Sequence, residues 1–297
     1  MQTIPIGPGF GAEVRGVSLL DAASSAEAFA YVEAAFEEHS ILLFRGQEVT
    51  DTTQIAYSRG FGPLELGKVG SRSAGSFLGV ISNIGDDGSL LPPEDNSWLV
   101  AAANQLWHTD SSFLARPAKA SVLSARTVPA TGGETEFCST RLAWERLSPA
   151  RQSELQDLTV EHAYFHSRDM IDPNLMTPEQ RAAMPAVNWR MTWRNPKNDR
   201  RSLYIASHAG RIIGMPDAEA KALLDELRAH ATAEGHTYLH QWRDGDVIMW
   251  DNRACMHRGR PWPADTGRKM VRTTIKATDA DGLAEVRPPA SFAAAAE

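Results

Sequence analysis

The sequence predicts a mainly β protein with helices, an α+β chain whose strands close into a double-stranded β-helix, or jelly roll, with helical inserts. Three observations carry that expectation. Short apolar runs of strand length recur along the chain, mostly separated by Gly, Asp or Asn turn signals. Segments of helical periodicity gather near the N-terminus and in inserts between strands. No internal repeat or clean linker divides the 297 residues, a length within reach of one large β domain. An antiparallel double sheet closing around a cavity fits this pattern, although local propensity does not separate a jelly roll from another β sandwich.

Composition bounds the rest. With 42% hydrophobic and 23% charged residues, the chain is not expected to be disordered overall. A net charge of -7 argues against a nucleic acid held by a broad basic surface, while leaving room for a local basic pocket. No run of 18 apolar residues occurs, so no membrane span is expected. The N-terminus has neither a basic start nor an apolar stretch behind it, so no secretory leader is expected and the chain reads as cytoplasmic. Cys138 and Cys255 allow one disulfide at most, and reduced thiols fit a cytoplasmic protein better.

In order along the chain, residues 9–20 read as an entry hairpin and 26–39 as a helix with Phe29, Val32, Ala35 and Phe36 on one face. Residues 40–44 form an apolar strand, and Thr50 or Asp51 caps a second helix that ends near Arg59. Residues 65–100 lack periodicity and are rich in Gly, Ser and Asp. We read them as a mobile loop over a site, with one short strand at 77–81. Strands are expected at 120–125 and after the turn Gly132–Gly133. Helices follow at 141–147 and 148–158, with a capping box at Thr177–Gln180. A strand at 202–205, a helix at 217–232, a strand–turn–strand unit at 238–250 and a last strand at 268–275 complete the domain. The tail 284–297 is expected to fray.

The chemistry concentrates in two places. In 107–113, Trp-His-Thr-Asp-Ser-Ser-Phe, an extended strand would turn His108 and Asp110 to one face. A second half comes from 251–258, which contains His257. Two histidines and one carboxylate with positions left open form the ligand set of a non-heme Fe(II) oxygenase. Arg268 and Arg272, at i and i+4 on a strand, point the same way. Facing inward, the two guanidinium groups would require anions, and bound carboxylates would satisfy both; an exposed edge strand with solvated charges is the other reading. Thr135, after a Gly-Gly turn, offers a hydroxyl that could share one of those carboxylates.

On these residues the chain resembles the Fe(II)/2-oxoglutarate-dependent dioxygenases of the taurine dioxygenase and 2,4-dichlorophenoxyacetate dioxygenase family. The matching pieces are 104–113, 132–137, 245–253 and 257–259, extended toward the N-terminus by 44–47 and 61–65. The resemblance covers nearly the whole chain and is closer to the phenoxyacetate branch. It implies His108, Asp110 and His257 as iron ligands, and Thr135 with Arg268 as the pair holding the distal carboxylate of 2-oxoglutarate. It also implies Arg272 as the residue for the substrate's acidic group and His208 as part of the substrate pocket. Fe(II), 2-oxoglutarate and O2 would together hydroxylate a small anionic organic substrate, an aryl or phenoxyalkanoate-type carboxylate. Succinate and CO2 would be released, and ether cleavage would follow where the hydroxylated carbon bears an ether oxygen. Asn195 and Arg211 stand where phenoxyacetate-type relatives have histidines, which argues against a chlorophenoxyacetate.

The same chemistry on a sulfonate or a secondary-metabolite acid is the alternative within this class, and a non-catalytic metal-binding jelly roll is the alternative outside it. A zinc hydrolase would call for H-E-x-x-H or a similar pairing of ligands and base, and that helix motif does not occur. Expected partners are the small substrate and further copies of the chain, with no nucleic acid and no membrane. His162, His166, His230, His236 and His240 have no ligand spacing and read as structural or surface residues, and Trp107 as packing.

Overall fold

The computed structural model describes residues 1–67, 74–92 and 95–289. Among these the strands fall into four sheets, and helices are interspersed. The large sheet has seven strands, in the spatial order Gln2–Pro5, Ala12–Arg15, Ile41–Phe44, Val247–Asp251, Ala118–Thr127, Lys269–Lys276 and Gly79–Ser82. The small sheet has three, in the order Thr237–His240, Thr135–Ser139 and Cys255–Gly259.

Period-two alternation explains how these layers stack. In Ile41–Phe44 every side chain is buried, as a strand covered on both faces requires. Leu42 and Phe44 pack with Val32, Phe36 and Tyr57 of the N-terminal helices. Ile41 and Leu43 pack on the other face with Phe137 and Cys255 of the small sheet. The large sheet is therefore a middle layer between helices and the small sheet. The helix Ala26–His39 has the predicted bounds. Ser25 caps it by accepting from the Ala28 amide, and Val32, Ala35 and Phe36 form its buried face. Thr50 caps Asp51–Gly60 in the same way, accepting from Thr53 at 3.1 Å.

Four expectations are corrected. The entry hairpin begins earlier, with Gln2–Pro5 paired antiparallel to Ala12–Arg15. Pro5 fits there because that strand is the edge of the large sheet. Thr237–His240 and Val247–Asp251 both form, but not as a hairpin. The first is an edge strand of the small sheet and the second a central strand of the large one. Five consecutive buried residues in Val247–Asp251 need neighbours on both faces, which an isolated hairpin does not supply. In 65–100 the strand is Gly79–Ser82, and a helix that periodicity did not reveal, Asn96–Ala103, closes the segment. The parts of that loop at 68–73 and 93–94 lie outside the described residues. The tail does not fray at its start: Leu283–Val286 is helical, and Leu283 and Val286 pack with Trp189, Trp193 and Tyr204. Residues 290–297 lie outside the described residues.

Cys138 and Cys255 are buried free thiols on paired strands. No helix among the described residues is long and apolar enough to cross a membrane.

A buried ionic cluster ties the turn after Val247–Asp251 to the helical layer. Arg253, 1% exposed, donates to Asp251 through Nε and Nη2 at 2.9 Å each, and through Nη2 to Glu37 at 3.1 Å. Removing Asp251 takes two of three close carboxylate contacts from a guanidinium in the interior. Asp251→Ala should therefore destabilise the fold by about 3–5 kcal/mol, read as a lower urea midpoint. Asp225→Ala, which breaks the helical pairs with Lys221 and Arg228 at the protein surface, should have a smaller effect.

Candidate functional site

The strand Cys255–Gly259 carries His257 in the centre of its pairing with Thr135–Ser139. His257 in turn positions His108. Their backbones exchange both hydrogen bonds, at 3.0 and 2.8 Å, as an isolated antiparallel bridge. The two imidazoles stand 4.1 Å apart between centroids. The expectation of an extended strand through His108 and Asp110 is corrected here. After the single bridge at His108 the chain enters a turn, in which Ser111 takes a left-handed φ of 55°. Asp110 reaches the histidines from that turn rather than by strand alternation. One ligand atom from each of His108, Asp110 and His257 lies within 4.8 Å of the others, and all three residues are buried.

Their protonation suits a cation. His108 Nδ1 lies 2.8 Å from the Leu106 carbonyl oxygen. Its N–H donates there, which leaves the Nε2 lone pair free. Burial holds the His108 imidazole below its ordinary value, and burial plus the neighbouring His108 pushes His257 well below. Burial alone would raise the Asp110 carboxyl, but Arg272, then His257 and His108, pull it below the usual carboxylate range. The set therefore holds two neutral imidazoles and one carboxylate. His257 Nδ1 is buried and has no hydrogen-bond partner among the described residues.

Asp110 is held from three sides. Arg272 Nη1 donates to Oδ1 at 2.5 Å, Ser121 Oγ donates to Oδ2 at 2.7 Å, and the Asp110 amide donates to Asn252 Oδ1 at 3.0 Å. Asn252 was quoted in the sequence only as part of a motif, yet its side chain is the hub. Its Oδ1 also accepts from Trp250 Nε1 at 3.0 Å, and its Nδ2 donates to Ser121 Oγ at 3.0 Å. Thr109 Oγ1 donates to the Asn252 carbonyl oxygen at 2.6 Å.

Two cavities meet at this cluster. The smaller, about 50 Å³, is lined by Thr135, Arg268, Trp262, His257, His108 and Arg272 among others. Thr135 Oγ1 accepts from Trp242 Nε1 at 3.0 Å, so its own O–H remains to donate. Arg268 donates through Nη2 to the Gly133 carbonyl oxygen at 3.0 Å and lies 5.0 Å from the Trp262 ring centroid. Its Nε is buried with no partner among the described residues, and burial lowers its guanidinium to about 10. The larger cavity, about 270 Å³, is lined by Asp110, Arg272, His208, Phe113, Tyr164 and Arg168 among others. Glu65, Phe77, Gly79 and Val80 from the 65–100 segment also contribute to its wall. His208 is buried against Phe113, at 4.7 Å between ring centroids. Arg168 was not anticipated; no local pattern marks it, because it reaches the cavity only through tertiary packing.

The remaining residues fall away from the site. Asn195 is buried in the ionic cluster, donating to Glu37 at 2.5 Å. Arg211 is exposed and pairs with Asp217 at 3.0 Å. Neither lines either cavity, so their departure from the histidine pattern does not bear on pocket shape. His166 pairs with Glu161, His230 with the Ala143 carbonyl oxygen and His240 with Asp246. Trp107 packs against the core with Arg258 over its ring.

Residues 2–274 match the family described as taurine catabolism dioxygenase TauD, TfdA family. The chain belongs to this family. It is 41% identical over 275 residues to the alpha-ketoglutarate-dependent 2,4-dichlorophenoxyacetate dioxygenase of Cupriavidus pinatubonensis, covering 91% of this chain and 96% of the relative. It is 31% identical over 279 residues to the (S)-phenoxypropionate/alpha-ketoglutarate-dioxygenase of Sphingobium herbicidovorans, covering 91% and 93%. Among solved structures, AAD-2 in complex with Mn(II) and N-oxalylglycine superposes with a TM-score of 0.86 at 36% identity, over 94% of this chain and 98% of that one.

Asn252→Ala leaves two buried donors, the Asp110 amide and Trp250 Nε1, without an acceptor, at a cost of about 1–3 kcal/mol for each. It should also weaken divalent-metal binding by about 10–100-fold, the size of effects seen when groups orienting metal ligands are removed. Calorimetric titration with Mn(II) and urea unfolding measure the two consequences separately.

Proposed function

We infer that this Fe(II)- and 2-oxoglutarate-dependent dioxygenase hydroxylates a small anionic organic acid of the aryl or phenoxyalkanoate type. The observation that carries the reading is the buried His108–Asp110–His257 set, with two neutral imidazoles and one carboxylate, at the junction of two arginine-lined cavities. The donor set fits Fe(II): two nitrogen donors and one carboxylate, with positions left for cosubstrates. His108, Asp110 and His257 would hold the metal. Iron with 2-oxoglutarate and O2 supplies the oxidising power, and succinate and CO2 are released.

The chain's own residues divide the remaining work. Arg268, with a buried unpartnered Nε, and Thr135, with a hydroxyl proton to donate, would bind the distal carboxylate of 2-oxoglutarate in the smaller cavity. Arg272 lines both cavities and would hold the acid group of the primary substrate while keeping Asp110 ionised. His208 and Phe113 would present an apolar and aromatic wall to the substrate body. The relatives named as 2,4-dichlorophenoxyacetate and (S)-phenoxypropionate dioxygenases support this substrate class. Where the attacked carbon bears an ether oxygen, the hemiacetal product collapses and the ether is cleaved. We read the two facing sheets as a double-stranded β-helix forming one domain, with Glu65, Phe77, Gly79 and Val80 contributing to the wall of the larger cavity.

His108→Ala, Asp110→Ala and His257→Ala should each abolish succinate formation. Turnover of 2-oxoglutarate by the His257→Ala protein would remove this residue from the metal site. Arg268→Ala should raise the apparent KM for 2-oxoglutarate far more than that for the acid, since loss of a buried charge-assisted contact costs about 2–5 kcal/mol. Phenoxyacetamide, which leaves Arg272 without an incoming anion, should bind much more weakly than phenoxyacetate; equal binding of the two would displace the acid site from Arg272.

A further inference from the structure

Arg168 lines the larger cavity, and the proposed chemistry gives this cation no task. It lies on the helix Tyr164–Asp169, outside both main sheets. Its guanidinium sits 3.9 Å from the Tyr164 ring centroid, donates to the Tyr164 hydroxyl and donates through Nη1 to Ser167 Oγ at 2.9 Å. All these partners are neutral. Burial lowers the guanidinium from its ordinary value, and no carboxylate offsets that cost. The two carboxylates in the cavity wall are engaged elsewhere. Asp110 takes Arg272 and Ser121, and Glu65 accepts from Ser111 at 2.8 Å. Among the described residues, Arg168 therefore faces the cavity as a partly buried cation without a counter-ion, an arrangement that favours an incoming anion.

Arg272 is already engaged with a carboxylate of the protein. It extends from the strand Lys269–Lys276 of the large sheet and is tethered to Asp110 at 2.5 Å. The two cations come from different elements and define two anchoring points, with Phe113, Tyr164 and His208 supplying aromatic surface in the same cavity. We propose that Arg168 is a specificity-determining residue, recognising a second anionic group on the primary substrate at the end remote from the acid held by Arg272. The preferred substrate is then an aromatic acid carrying a further carboxylate, with its ring spanning the two guanidinium groups. This rests on the reading of the larger cavity as the primary-substrate site.

The test is calorimetric binding to the anaerobic protein loaded with Fe(II) and 2-oxoglutarate, using phenoxyacetate and 4-carboxyphenoxyacetate as probes. The wild type should bind the dicarboxylate tighter by about tenfold or more, the equivalent of one charge-assisted contact. In Arg168→Gln the ratio of the two dissociation constants should fall to about one, and Arg168→Lys, which keeps the charge but not the planar fork, should give an intermediate ratio. A wild-type ratio near one overturns the proposal. So does an Arg168→Gln protein that keeps the wild-type ratio, including by losing both acids equally. Failure of the wild type to bind either acid overturns the substrate reading itself, and this inference with it.

Discussion

The Asn252 side-chain amide is the contact on which the site depends. Its oxygen accepts from the Asp110 amide and from Trp250 Nε1, and its nitrogen donates to the Ser121 hydroxyl that in turn holds the Asp110 carboxylate. Asp110 and Ser121, 142 and 131 residues away in sequence, are locked to this turn by one buried group that can both donate and accept. Apolar packing would bring the same segments close but would not orient a carboxylate. Orientation decides whether Asp110 faces the imidazoles or the solvent.

The layers behind this contact explain why it can be buried. The large sheet is covered by helices on one face and by the small sheet on the other. The turn that presents Asn252 is anchored by Arg253, whose carboxylate partners include Glu37 of the first long helix and Asp251 at the end of its own strand. The helical layer thus reaches through an ionic cluster to the loop between two strands of different sheets. His257 follows directly on the next strand, and its backbone fixes His108. Each step positions the next without relying on a mobile side chain at the surface.

What was legible in the sequence divides along this line. The long helices were read with nearly their observed bounds, because capping residues and apolar spacing are local signals. The residue types of the His-Asp-His set were legible as chemistry, and the structure brings them together. The route was not: alternation along a strand was expected, and a turn with Ser111 in a left-handed conformation does the work instead. Strand pairing was lost wherever neighbours in sequence join different sheets, as at Thr237–His240 and Val247–Asp251, since partner choice is a tertiary matter. Asn252 lay inside a matched motif but without a role of its own, and Arg168 carried no local signature. An asparagine after an aspartate reads as a turn, and an arginine on a short helix reads as solvated surface.

The contrast between the cavities and the whole chain has a kinetic meaning. Arg168, Arg268 and Arg272 gather at the cavities, opposed by Asp110 and Glu65, on a protein whose net charge is -7. An approaching anion meets a repulsive field at long range and an attractive one only at the mouth, because unlike charges in a low-dielectric cleft dominate at short distance. Salt screens these two fields to different extents: the diffuse exterior is screened within about 10 Å at 0.1 M, while the recessed guanidinium groups are screened much less. Moderate ionic strength therefore speeds encounter while costing little affinity, so the molecule collects acids best in a medium that already contains ions.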